Sequence, residues 1–153
     1  MSRRGAIRMT EEEALAYLAE QRTVICATNG HDGFPHLMPL WYVVRDGSLW
    51  AWSYAKSQKV RNLERDPRAT LQVEDGEQYH ELRGVMIESE AVIHRELDEV
   101  AQLGAQLFER YGSGSTGPEF LEAVRAQAAR RVALEFVRKR LVSWDHRKLG
   151  GVY

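Results

Sequence analysis

The sequence predicts a mainly β chain with added helices, an α+β protein whose strands form an antiparallel barrel with helices at its ends. Three observations predict it. The order of patterns is strand, strand, strand, short helix, strand, long strand, two helices, strand. Asp46-Gly47 is a two-residue hairpin signal, which joins antiparallel neighbours. Arg83-Gly84 interrupts the long fifth strand, as a bulge or a bend round a barrel corner would.

Each element has a local reason. Thr10-Glu11-Glu12-Glu13 opens an amphipathic helix with a capping box; it reaches about Arg22 and turns Leu15 and Leu18 inward. Residues 23–28 are dense in β-branched side chains and form the first strand, closed by turn residues at 29–33. Residues 34–44 form a second strand interrupted by Pro35 and Pro39, and Pro39 marks an edge, a bulge or backbone that faces something other than a strand. After the hairpin, residues 48–54 alternate Leu49, Ala51 and Ser53 against Trp50, Trp52 and Tyr54. Residues 69–74 give a fourth strand, and residues 79–94 a fifth. A helix over 96–111 places Val100, Leu103, Leu107, Phe108 and Tyr111 on one face. The Gly/Ser-rich stretch 112–117 is a flexible loop, and Pro118 starts the next helix at its favoured first position. Arg125, Arg130 and Arg131 read as surface charges, and residues 132–144 as the last strand. The triplet Arg138-Lys139-Arg140 reads as a solvated turn or as part of an anion groove.

The stretch from Ser53 to Pro67 carries the chemistry. Ser57 is a helix N-cap, Val60 and Leu63 face inward, and Pro67 ends the helix after Asp66. Its polarity is inverted: Lys56, Lys59 and Arg61 crowd the positive end of the helix dipole, while Glu64 and Asp66 sit at the negative end. The first helix of the chain, with acids first and an arginine last, obeys the dipole, so the inversion calls for a cause. A solvated basic face is the plain reading. Hydroxyls, cations and free backbone N–H groups converging on one helix start make an anion site, and two serines beside three cations favour a phosphate.

Other classes of function receive no support. A net charge of −1 gives no global field towards nucleic acid or membrane. No apolar run is long enough to span a bilayer, and the basic start at Ser2-Arg3-Arg4 lacks the apolar segment of a signal peptide. The single cysteine, Cys26, fits a buried role in a reducing cytoplasm. There is no Walker loop, dinucleotide fingerprint, nucleophile elbow or His-Glu-x-x-His, and the five histidines are scattered. Chemistry here has to come from a cofactor, with the protein supplying position and electrostatics.

Asp32-Gly33-Phe34-Pro35, then Pro39-Leu40-Trp41-Tyr42, then Ser57-Gln58-Lys59-Val60-Arg61-Asn62-Leu63 and Asp66-Pro67-Arg68 resemble the pyridoxamine-phosphate-oxidase-like superfamily. The likeness covers roughly residues 10–150. It is closest to the actinobacterial branch that uses the deazaflavin coenzyme F420, including biliverdin-reductase-like members; the Trp144–Leu149 tail looks similar too. The resemblance implies one domain, a six-stranded antiparallel split β-barrel of the FMN-binding type with peripheral helices. It implies a homodimer with cofactor sites between subunits, in a chain whose composition points to the cytoplasm. The implied reaction is hydride transfer from reduced F420 to a conjugated small organic acceptor, with no catalytic acid assigned. By position, Ser53, Lys56, Ser57, Lys59, Arg61 and Asn62 match the phosphate-holding segment, and His36, Leu37, Met38, Pro39 and Trp41 match the broken strand beside the ring. Tyr79 and His80 match residues that reach the site from the partner subunit. The vitamin-pathway oxidases end in Arg-x-His, and no such tripeptide stands near this C-terminus, which argues against pyridoxamine phosphate. An FMN enzyme of the same fold, or a non-catalytic flavin, deazaflavin or haem carrier with His36 or His80 as axial ligand, stays open. Trp50 and Trp52 need cover, which points again to a dimer.

Overall fold

The computed structural model describes residues 2–112 and 114–151; Met1, Ser113 of the predicted loop, and Val152 and Tyr153 of the tail lie outside them. Seven antiparallel strands form one sheet in the order β2-β1-β5-β6-β7-β4-β3. They are β1 (Val24–Asn29), β2 (Pro35–Leu40), β3 (Val43–Arg45), β4 (Ser48–Tyr54), β5 (Arg68–Asp75), β6 (Arg83–His94) and β7 (Arg131–Asp145). The two outermost strands, β2 and β3, are consecutive in sequence and separated only by Trp41 and Tyr42. So short a link forces the two edges of the sheet together, which curls it into a barrel with a seam at the break.

That break corrects the prediction of six strands. The second predicted strand is two strands, because pairing of β2 with β1 stops at Leu40–Val24 and β3 then pairs with β4. The mid-strand glycine also behaves differently. The fifth strand begins at Arg83, after a 3₁₀ turn at Tyr79–Glu81, and its register shift falls at Glu88/Ser89. Gly84 is required by a close approach instead: a Cβ there would stand 2.3 Å from the Trp144 ring.

The helices are α1 (Arg3–Ala6), α2 (Glu11–Glu20), α3 (Gln58–Arg65), α4 (Leu97–Arg110) and α5 (Pro118–Ala128). The Thr10 capping box forms as expected, with Ala14, Tyr17 and Leu18 buried and Leu15 only half-buried. Pro118 occupies the first turn of α5. Leu71, Val73, Val85, Ile87, Leu134 and Phe136 fill the barrel interior. α4 packs on the outside of β4, where Val100, Leu103 and Leu107 meet Trp50 and Trp52. A Cβ at Gly104 would lie 2.3 Å from the Trp52 ring, so the glycine lets α4 close over that indole. Arg45 lies over Trp50 and Arg131 over Trp52 and Tyr54. The cover that Trp50 and Trp52 need comes from within the chain.

The basic triplet is not a turn, and its three cations border three separate surface cavities rather than one groove. It lies inside β7 at the register shift, and each cation has a carboxylate: Arg138 with Glu11 at 2.7 Å, Lys139 with Glu90 at 3.8 Å, Arg140 with Glu88 at 2.7 Å. Among the described residues no helix is long and apolar enough to cross a membrane.

Candidate functional site

α3 follows β4 directly and lies across one end of the barrel, gripping β1. Ser57 caps it as predicted: its Oγ accepts from the Val60 N–H at 3.3 Å. Ser53, the last inward residue of β4, places its hydroxyl 3.0 Å from that of Ser57. Lys59, one of the cations that match the phosphate-holding segment, is buried, 5% exposed, because its side chain turns under the helix. Its Nζ donates to Ser53 Oγ at 3.2 Å. No carboxylate among the described residues forms an ion pair with it. Burial pushes the Lys59 pKa down, opposed by the Cys26 thiol. Burial also pushes that thiol up to about 12, so Cys26 offers no counter-ion at neutral pH.

A buried ammonium with one hydroxyl partner is costly unless something else satisfies it. It retains donors for an anion, and two serine hydroxyls and the α3 start sit beside it. The inverted polarity thus has two explanations. The acids at the far end of the helix pair conventionally, Glu64 with Arg95 at 2.9 Å and Asp66 with Arg68 at 2.8 Å. The cations at the near end, Lys56, Lys59 and Arg61, have no ion pair among the described residues, and Lys56 and Arg61 are exposed.

Asn62 is fully buried and acts as a buckle. Its Nδ2 donates to Thr28 Oγ1 of β1 at 3.1 Å, and its Oδ1 accepts from Gln58 at 2.8 Å. Thr28 stands directly opposite His36 of β2, so the α3 corner and the proline-broken strand meet there. His36 Nδ1 is buried without a hydrogen-bond partner among the described residues.

β2 itself is an open edge. The bond from the Gly30 amide to the Phe34 carbonyl sets the alternation of its ladder with β1. Pro35, Leu37 and Pro39 therefore fall at positions whose backbone groups point away from β1, where a missing N–H costs nothing. The edge presents carbonyls and the Leu37 amide to an incoming group. It is also apolar: Phe34 is 75% exposed, and Leu37, Met38 and Trp41 are exposed as well. Trp41 stacks on Tyr111 with centroids 4.4 Å apart. Tyr111 and its neighbour Arg110, two residues with no motif in the sequence, hold the strand break from α4.

Two predicted site residues lie elsewhere. Thr28 pairs with Ala69 at the start of β5, while Tyr79 and His80 follow its end, so they sit at the opposite end of this chain's barrel. Tyr79 meets His146 edge to face at 4.6 Å, and His80 stands 4.0 Å from Glu81. Ser53, Ser57, Lys59, Asn62 and His36 are brought to one corner; Leu37, Met38, Pro39 and Trp41 run away from it along β2.

Fold and corner define an antiparallel split barrel with a buried lysine and two serine hydroxyls at one helix start. The chain belongs to the pyridoxamine 5'-phosphate oxidase family, whose model matches residues 10–144. It is similar to the conserved hypothetical protein Rv2991 from Mycobacterium tuberculosis, with 41% identity over 100% of this chain and 95% of that one and a TM-score of 0.91. An F420 reductase shares 21% identity over 82% of this chain and 93% of its own, with a TM-score of 0.66. HutZ, the haem storage protein from Vibrio cholerae, shares 20% over 88% and 96%, with a TM-score of 0.67. At those two identities the likeness is one of fold. No curated protein matches the chain.

Proposed function

We propose that this protein is an F420-dependent oxidoreductase that reduces a conjugated small organic acceptor. The observation that carries the reading is the buried Lys59, without a carboxylate partner among the described residues and bonded to Ser53, whose hydroxyl lies beside that of Ser57. Those three side chains hold the cofactor phosphate. The open β2 backbone at Leu37 and Pro39 receives the polar edge of the ring, and His36 lies between the two regions. F420, when reduced and bound, supplies the hydride. The chain's own residues orient it, exclude water along the apolar β2 edge and neutralise the phosphate charge. Membership of an oxidase family supports redox chemistry in general, and the residues quoted above as resembling the deazaflavin branch support F420 over FMN.

The same reading makes the protein a cytoplasmic homodimer with its sites between subunits. Tyr79 and His80 serve a site only from a second copy, since their own barrel keeps them at its far end. The exposed Phe34, Leu37 and Met38 give that copy an apolar surface to cover. A monomeric mass by light scattering at micromolar concentration would sink the shared site.

Turnover decides the function. Oxidation of reduced F420 in the presence of quinone-like and bilin-like acceptors is the expected result. Full occupancy by FMN on purification would move the protein to the flavin branch. The buried, unpartnered His36 Nδ1 favours one second reading, a haem carrier, and a Soret band on haem titration that disappears in His36→Ala would establish it.

A further inference from the structure

Trp41 occupies the break between β2 and β3, and one face of its indole lies on Tyr111 with planes 7° from parallel. A parallel stack covers a single face, yet Trp41 remains 53% exposed, so the other face is open. Tyr111 is itself fixed. Its hydroxyl accepts from the Tyr42 amide at 3.0 Å and from Arg110 at 2.8 Å, and it lies 2.7 Å from the Arg22 carbonyl, to which it donates. An indole held flat against an anchored ring loses rotamer freedom while leaving apolar surface in water, which is unfavourable unless something stacks on it.

We infer that Tyr111 is a positioning residue that presents Trp41 as a platform for the planar ring of the ligand whose anionic end binds at Lys59. The inference rests on the cofactor reading above and adds the residue that sets its ring wall. Its geometry follows from β2. His36 stands opposite Thr28, the residue gripped by Asn62 of α3. The ladder from His36 to Leu40 spans four residues, roughly 14 Å at about 3.4 Å per residue, and Trp41 follows it at the break. The platform and the anion corner therefore suit an elongated ligand with a phosphate at one end and an aromatic system at the other. Aromatic contacts of this kind change affinity by about two- to tenfold.

The test uses the full chain, with F420 and FMN as ring ligands and inorganic phosphate as a probe of the corner alone. Trp41→Leu and Tyr111→Leu are each expected to weaken both ring ligands about two- to tenfold, and the double variant to be no worse than either. The thermal shift given by inorganic phosphate is expected to stay at its wild-type value. In the free protein, the near-ultraviolet circular dichroism lost in Trp41→Leu is expected to be lost in Tyr111→Leu too. Wild-type affinity in Tyr111→Leu, additive losses in the double variant, or an intact Trp41 signal each overturns the inference. Should Tyr111→Leu not fold, Tyr111→Phe carries the same test with a smaller loss, since it keeps the ring and removes the bonds at the hydroxyl. A wild-type protein that binds neither ring ligand defeats the function reading and the platform together. Normal ring binding that ignores Tyr111 defeats the platform alone.

Discussion

The two ends of the barrel handle buried charge in opposite ways. At the end covered by α2, the buried and half-buried charges Arg83, Asp75 and Asp145 all have partners. Arg83 lies 2.8 Å from Glu20 and 3.0 Å from Asp75, and Tyr17 donates to Asp75 at 2.8 Å. Asp145, buried, accepts a two-pronged contact from Arg147 at 2.8 and 2.7 Å. At the end covered by α3, Lys59 is as buried as Asp145 and has one neutral hydroxyl. Helix starts, serines and charges occur at both ends, so none of these marks a site. The proposed phosphate site rests on the uncompensated ammonium.

The largest effect expected from this contrast comes from Lys59→Met. Each charge-assisted bond to a phosphate contributes about 1.5–3 kcal/mol, so cofactor affinity should fall by about ten- to 150-fold. The unliganded protein should keep or gain thermal stability, because a buried charge without a counter-ion disappears. Calorimetric titration and a melting curve read the two numbers, and unchanged affinity removes Lys59 from the site. Arg83→Met is the mirror experiment. It leaves Asp75 and Glu20 without their cation and should cost about 1–3 kcal/mol in denaturant unfolding while ring-ligand affinity holds. A loss of affinity with unchanged stability there would erase the distinction between the ends.

Titration sharpens the contrast further, since the two ends respond at opposite extremes of pH. Lys59 has a folded-state pKa lowered from 10.5 by burial, so the unfolded chain holds its proton more tightly. Stability from this group therefore rises as pH climbs between the folded value and the unfolded one. Anion binding needs the ammonium and falls over the same range. Asp145 behaves in reverse. The Arg147 hydrogen bonds hold its carboxyl below 3.8 against the effect of burial. Its contribution is present above the unfolded carboxylate pKa and is lost as pH falls through the folded one. Ligand affinity should thus drop at alkaline pH, short of 10.5, with the protein still folded, and acid unfolding below about pH 4 should be shifted upward in Asp145→Asn. Affinity constant up to pH 11 would contradict the Lys59 assignment.

Local chemistry explains which parts of this were legible in the sequence. The Thr10 capping box, the Ser57 cap, the Asp46-Gly47 hairpin and Pro118 at a helix start are satisfied within a few residues, and all stand where the pattern places them. The direction of Lys59 is not local: its burial depends on where β1 passes under α3. The break at Trp41-Tyr42 is imposed by barrel closure and by α4, whose Arg110 reaches the Leu18, Ala19 and Gln21 carbonyls some ninety residues away. The triplet Arg138-Lys139-Arg140 looked available because its three carboxylates come from α2 and β6. Tyr79 and His80 lie close to the site segments in sequence order, and only the strand register reveals the opposite end.

The smallest effect, and the one that separates F420 from FMN, concerns cations beyond the primary phosphate contacts. Both ligands carry a tricyclic ring, a ribityl chain and a phosphate, so Ser53, Ser57 and Lys59 treat them alike. F420 adds an anionic lactyl-oligoglutamate tail and needs further positive charge. Arg138, Lys139 and Arg140 are paired with Glu11, Glu90 and Glu88, which offsets their charge. Arg65 is turned to the Asn29 carbonyl and Asn62. Lys56 and Arg61 remain, exposed at the α3 start and without an ion pair among the described residues. Exposed contacts contribute about 0–1 kcal/mol each and are screened by salt. Wild-type protein should therefore prefer F420 to FMN by a modest factor at low ionic strength, and the preference should shrink as salt is added. Lys56→Ala with Arg61→Ala should abolish it at both salts while FMN affinity changes little, whereas Arg138→Ala should leave it intact. Fluorescence titrations at two salt concentrations read all three outcomes. FMN bound more tightly than F420 at both would place the protein with the flavin enzymes and leave the α3 cations to solvent.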